Sequence, residues 1–161
     1  MAGDVDIRMA TAEDVALILS FIKALADYEK RGHQVTADEA RLRETLFGKY
    51  AYAETLIADL NGEPAGFALF FHTYSTFLAR PAIYLEDLFV KPDLRGRGIG
   101  KTLLARLAQL SEERGCGRLE WSVLNWNQPA IDFYRSLGAE PLDNWTHYRL
   151  TGEALKRLAR R

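Results

Sequence analysis

Between Ile83 and Thr102 an apolar strand pattern ending at Val90 runs into a loop with glycine at positions 96, 98 and 100. A helical pattern begins directly afterwards. Few arrangements tolerate that spacing. Glycine lacks Cβ, so the backbone of such a loop can take positive φ and approach a ligand closely. The helix start supplies N–H groups without intrahelical acceptors and a partial positive charge. Arg95, Arg97 and Lys101 add cationic donors to the same stretch. Together these features predict a phosphate site. A plain strand-to-helix turn on a basic surface is the alternative.

The rest of the chain reads around this loop. Residues 5–9 predict a short strand, and Thr11 with Asp14 forms a helix start signal. Val15, Ile18, Ile22 and Leu25 follow at helical spacing to about Tyr28. Thr36-Ala-Asp-Glu39 opens a second helix to about Phe47. Residues 55–60 and 65–71 predict two strands around Asn61-Gly62, a pair suited to a tight hairpin turn. After the loop, Leu103, Leu104, Leu107 and Leu110 make the stripe of a helix over 99–114. A strand over 119–124, a helix over 130–137, a last strand over 146–150 and a basic helix from Thr151 complete the pattern. This order predicts an α/β (α+β mixed) fold: a mostly antiparallel central sheet of about six to seven strands flanked by helices. Residues 1–161 are expected to form a single domain, with no repeat or linker.

Two other phosphate motifs fit less well. The dinucleotide fingerprint needs glycine where Lys101 stands. A P-loop matches Gly100-Lys101-Thr102, but its first glycine falls on Arg95, and no later strand ends in a metal-binding aspartate. Arg95-Gly96-Arg97-Gly98-Ile99-Gly100 instead resembles the Arg/Gln-x-x-Gly-x-Gly/Ala signature of the GNAT superfamily of N-acetyltransferases. Downstream, Asn127-Gln-Pro129 at a helix start, then Phe133-Tyr134 and Gly138, resembles the second segment of that family.

The resemblance implies acetyl-CoA as co-substrate, with the amides of 95–101 on the coenzyme diphosphate. It places Asn127 and Pro129 along the coenzyme and Tyr134 beside its sulfur. A phenol there can protonate the departing thiolate. Phe133 reads as a core aromatic.

An amine must lose a proton before it attacks, so the site needs a route for that proton. Tyr84-Leu-Glu86-Asp-Leu88-Phe89-Val90 resembles the diamine (spermidine/spermine) acetyltransferase branch, and the similarity extends over nearly the whole chain. By that resemblance Glu86 contacts the amine and takes its proton through water. Tyr28 and Glu29 help bind it. The backbone of Leu88 to Val90 pairs with pantetheine like an added strand. Strand alternation predicts that Glu86 and Asp87 face opposite sides and do not share one role. A strand-edge charge or a structural salt bridge explains either residue equally well, and Tyr28-Glu29 also reads as a fraying helix end.

The tight hairpin at Asn61-Gly62 and the segment Glu120-Trp121-Ser122 depart from the eukaryotic pattern. The acceptor therefore stays open among a polyamine, a thialysine-like amino acid, another small amine and a peptide N-terminus or lysine. A non-catalytic acyl-CoA-binding module is the alternative of another class. The family resemblance also implies a homodimer.

Composition narrows the field further. With 21 basic and 22 acidic side chains, net charge is -1, which gives no global attraction to nucleic acid or anionic membrane. The acidic N-terminus lacks the pattern of a secretory signal, and no apolar run suggests a membrane span, so a cytoplasmic location is expected. His33, His72 and His147 are scattered without ligand spacing, so no metal is expected. The single cysteine, Cys116, lies outside both motifs, which argues against an acetyl-cysteine intermediate.

Overall fold

The computed structural model describes residues 3–161; Met1 and Ala2, the start of the acidic N-terminal stretch, lie outside the described residues. Two compact units are formed, one ending at Ser122 and one running Val123–Arg161.

The first unit is built on a five-stranded sheet with its strands in sequence order. These are β1 (Val5–Met9), β2 (Glu54–Leu60), β3 (Glu63–Ser75), β4 (Arg80–Val90) and β5 (Leu119–Trp121). The first four pair antiparallel, and β4 with β5 is parallel. Asn61 and Gly62 both take positive φ, 52° and 84°, the geometry a two-residue hairpin requires to match strand twist.

Helix α1 (Val15–Tyr28) buries Val15, Ile18 and Phe21 against one face of this sheet. Phe21 stacks on Phe67 at 5.3 Å between ring centroids and meets Phe89 at 5.9 Å. Helix α2 (Glu39–Phe47) closes the same cluster with Leu42 and Leu46. Its N-cap is Asp38, whose carboxylate accepts from Arg41 N–H at 2.8 Å, so the helix begins later than the Thr36 signal predicts. Helix α3 (Ile99–Glu113) buries Ile99, Leu103, Leu104, Leu107 and Leu110, the predicted stripe. Arg114, just beyond its end, pairs with both oxygens of Glu54 at 2.6 and 2.9 Å and lies over the Phe70 ring. This contact ties the end of α3 to the first residue of β2.

Arg8 links the first strand to its neighbours, donating to Asp14 at 2.8 Å and to Asp59 at 2.9 Å. The guanidinium beside Asp14 holds that carboxyl below the usual carboxylate range.

The second unit carries α4 (Gln128–Ser136) and α5 (Gly152–Ala159). Two sequence expectations are corrected in its direction. Residues 146–150 form no strand; all five are exposed, and a β-prone run without a ladder partner has nothing to pair with. The strand from Leu119 stops at Trp121 rather than Leu124. The described residues therefore hold five strands where six to seven were expected, within the predicted class of fold.

Candidate functional site

The loop between β4 and α3 adopts the conformation its glycines permit. Pro92–Leu94 make a single 3-10 turn, then Gly96 and Gly98 take φ of 78° and 82°. Gly98 is the N-cap of α3, and its carbonyl accepts from both the N–H and the hydroxyl of Thr102 at 2.9 Å. An added Cβ at either glycine would meet nothing within 4 Å. Space does not demand glycine here; the left-handed backbone does. The first-turn amides of a helix have no intrahelical acceptor, so those of Ile99, Gly100 and Lys101 suit an anion. Arg97 and Lys101 are exposed beside them. A coenzyme diphosphate fits this donor set.

Beside the loop, β4 and β5 are paired only through Ile83–Leu85 and Leu119–Trp121. Glu86 to Val90 extend beyond that ladder, so one edge of their backbone has no β5 partner. Leu88, Phe89 and Val90 thus lie where an extended chain could add to the sheet edge. At the last rungs Tyr84 and Ser122 share a hydrogen bond of 2.7 Å between their hydroxyls, and the Tyr84 ring lies against Phe71.

A β-bulge changes the expected arrangement of the two acidic residues. Leu69 pairs with Asp87 and Phe70 with Leu85, which leaves Glu86 as the extra residue in β4. The extra residue cancels strict alternation. Glu86 and Asp87 are consequently not segregated to opposite sides, as alternation predicts. Glu86 and Glu29 both act electrostatically on Asp87. Burial pushes the Asp87 carboxyl up to about 6, and the charges of Glu86 and Glu29 push the same way. Glu29 and Glu86 thus both lie near enough to Asp87 to act on it; Glu86 is exposed, and Glu29 and Asp87 are half-buried. Such a cluster attracts a cationic amine, and its buried member is poised to exchange a proton near neutral pH. Asp87 is the residue that sequence reasoning set aside; the adjacent acids in an apolar strand were its only signal.

A raised carboxyl pKa has a definite sign for stability. Between the ordinary value of 3.8 and about 6, the folded state binds more protons than the unfolded one, so stability falls as pH rises. Asp87→Asn is expected to raise stability above pH 6 by on the order of 2 kcal/mol and to flatten this slope. Thermal melts of both proteins at pH 4.5 and 7.5 check it (two pH values chosen to lie roughly either side of the titration). A gap between the two proteins that does not widen with pH contradicts the assignment.

Arg95 does not extend along the loop with the other cations. Its guanidinium carbon sits 4.7 Å from the Tyr28 ring centroid and 5.5 Å from that of Phe89. Its Nε donates to the Val90 carbonyl at 2.9 Å. Tyr28 and Glu29, at the end of α1, are thereby brought next to the loop.

In the second unit, Asn127 and Pro129 open α4. The buried Asn127 is its N-cap, accepting from Ala130 N–H at 3.4 Å, and Pro129 lies in the first turn. Tyr134 is half-buried, its ring 5.6 Å from that of Phe133. Its carbonyl accepts from Leu137 and Ala139 N–H at 3.1 and 3.2 Å, just before Gly138 turns the chain at φ 86°. The tyrosine is held at a capped helix end.

Comparison with known proteins bears on the family and the fold. The model described as "Acetyltransferase (GNAT) family" matches residues 20–139. Thialysine N-epsilon-acetyltransferase of Bos taurus is 40% identical over 164 aligned residues, covering 95% of this chain and 96% of the relative. L-ornithine N5-acetyltransferase of Arabidopsis thaliana is 31% identical, covering 93% and 86% respectively. Among solved structures, an integron cassette protein from the mobile metagenome of V. cholerae superposes with a TM-score of 0.81. It is 28% identical, with 100% of this chain and 99% of that one covered.

Proposed function

The chain belongs to the acetyltransferase (GNAT) family, and on that footing we propose how it uses its residues and which amine it takes. It is an N-acetyltransferase acting on a small-molecule amine, with acetyl-CoA as the family's co-substrate. The acceptor in this proposal is the side-chain primary amine of a thialysine-like or ornithine-like amino acid, or of a diamine.

The β-bulge that sets Glu86 beside the half-buried Asp87, with Glu29 acting on the same carboxyl, carries the reading. An amine arrives as a cation, which carboxylates attract. It must then become neutral, with a reference pKa near ~10.4 against it. Glu86, directly or through water, takes the proton, and Asp87 tunes the local charge. The amides of 96–101 with Arg97 and Lys101 hold the diphosphate, and the edge of Leu88 to Val90 beyond β5 aligns the pantetheine arm. Asn127 and Pro129 set the start of α4, and Tyr134 supplies a proton to the departing sulfur. Acetyl-CoA brings the activated acetyl group, and the amine attacks it directly. In this proposal residues 1–161 work as one catalytic domain, in a cytoplasmic homodimer.

The test is thiol release from acetyl-CoA with a panel of thialysine, ornithine, spermidine and a peptide with a free N-terminus. Amine-dependent release is expected, strongest with thialysine or ornithine. Coenzyme binding without release by any amine would favour the acyl-CoA-binding module instead. Light scattering on the same preparation reads the dimer, which a monomeric mass would overturn.

A further inference from the structure

We propose that Arg95 is a positioning residue for the acceptor amine, clamping Tyr28 and thereby Glu29, and that it is not a grip on the coenzyme diphosphate. The inference rests on the acetyl-transfer reading. Three contacts hold the side chain over α1 and β4: the Tyr28 ring at 4.7 Å, the Phe89 ring at 5.5 Å and the Val90 carbonyl at 2.9 Å. An aromatic face attracts a guanidinium through its quadrupole, and the planar group suits a position close to two rings. The hydrogen bond from Nε fixes the plane of the guanidinium relative to β4.

The target of this clamp is the C-terminal end of α1, where the N–H groups of Glu29 and Arg31 donate to Leu25 and Ala26. Tyr28 is the last residue of α1 and is exposed, and Lys30 turns the chain at φ 60°. Helix ends fray, so the position of Tyr28 and Glu29 depends on what packs against them. Phe89, by contrast, is buried in the core cluster and does not move easily. Arg95 therefore ties the end of α1 to the buried core. Glu29 follows Tyr28 directly and acts on Asp87. Loss of the clamp shifts one of the three carboxylates that receive the amine, while the glycine backbone and helix amides that receive phosphate stay in place.

The two roles separate cleanly in measurement. Arg95→Gln is expected to raise the thialysine KM roughly five- to tenfold, while the acetyl-CoA Kd from calorimetry changes by less than about twofold. Arg95→Lys, which can still place a cation over the ring, recovers part of the loss. Tyr28→Leu raises the same KM, and adding Arg95→Gln to it has little further effect, because each residue acts through the other. Additive effects of the two substitutions overturn the inference. So does an acetyl-CoA Kd that rises about tenfold or more in Arg95→Gln, which marks a direct grip on the diphosphate. A native chain that binds no acetyl-CoA, or binds it and acetylates no amine, instead overturns the acetyl-transfer reading beneath it.

Discussion

Tyr134→Phe is expected to lower kcat by on the order of a hundredfold or more, with a much smaller change in the acetyl-CoA Kd. The substitution removes one oxygen and leaves the ring against Phe133 and the hydrogen bonds at the end of α4 intact. Circular dichroism on the variant separates a folding loss from a chemical one. The chemical reason is that a thiolate leaving without a proton donor carries its full charge into the transition state. General acid catalysis typically supplies roughly two to four powers of ten at such a step. A kcat within about threefold of native would remove Tyr134 from the chemistry.

The second large effect is expected at Gly98. Its φ of 82° places it in the left-handed region, where an L side chain costs roughly 1–2 kcal/mol and a β-branched one more. Nothing within 4 Å would collide with a new Cβ, so Gly98→Ala tests the backbone and not packing. A chain that avoids the strain must rotate the peptide units leading into α3, and the first-turn amides then point elsewhere. Acetyl-CoA affinity should fall by about tenfold or more for Gly98→Ala and by about a hundredfold for Gly98→Val, while the Leu103 to Leu110 stripe keeps the helix folded. Calorimetry measures the affinity, and circular dichroism reports the helix. Unchanged affinity in Gly98→Val, with helix content preserved, would mean that the loop does not hold phosphate.

Much of the fold could be read from the residues because the relevant signals were local. Val15, Ile18 and the leucines of α3 repeat at helical spacing and are buried as that spacing requires. Asn61-Gly62 dictates a turn through its own backbone preference, and Asn127 caps α4 through its own side chain. Where the outcome depended on a partner, the residues alone were insufficient. Thr146 to Leu150 has β-prone side chains, yet strand formation is decided by pairing and burial, and neither is present there.

The candidate site divides along the same line. The glycine positions and the basic character of 95–101 were legible, whereas the roles given to Tyr134 and Glu86 rest on family resemblance. The direction of the Arg95 side chain was not, because a charge in a loop says nothing about which ring it will meet. Nor was the placement of Asp87. An inserted residue leaves the composition of a strand unchanged while altering the orientation of everything beyond it, and only the register with β3 reveals where the insertion falls.

That insertion makes the length of β4 a functional quantity in its own right. Excising Glu86 would do more than delete a carboxylate. It would restore a uniform pleat, and the half of the strand on one side of the cut would have to turn over or slide by one residue. Either Phe89 would leave the apolar interior or Tyr84 would leave its place against Phe71. The strand can exchange the side chain at position 86 far more readily than it can lose the position itself.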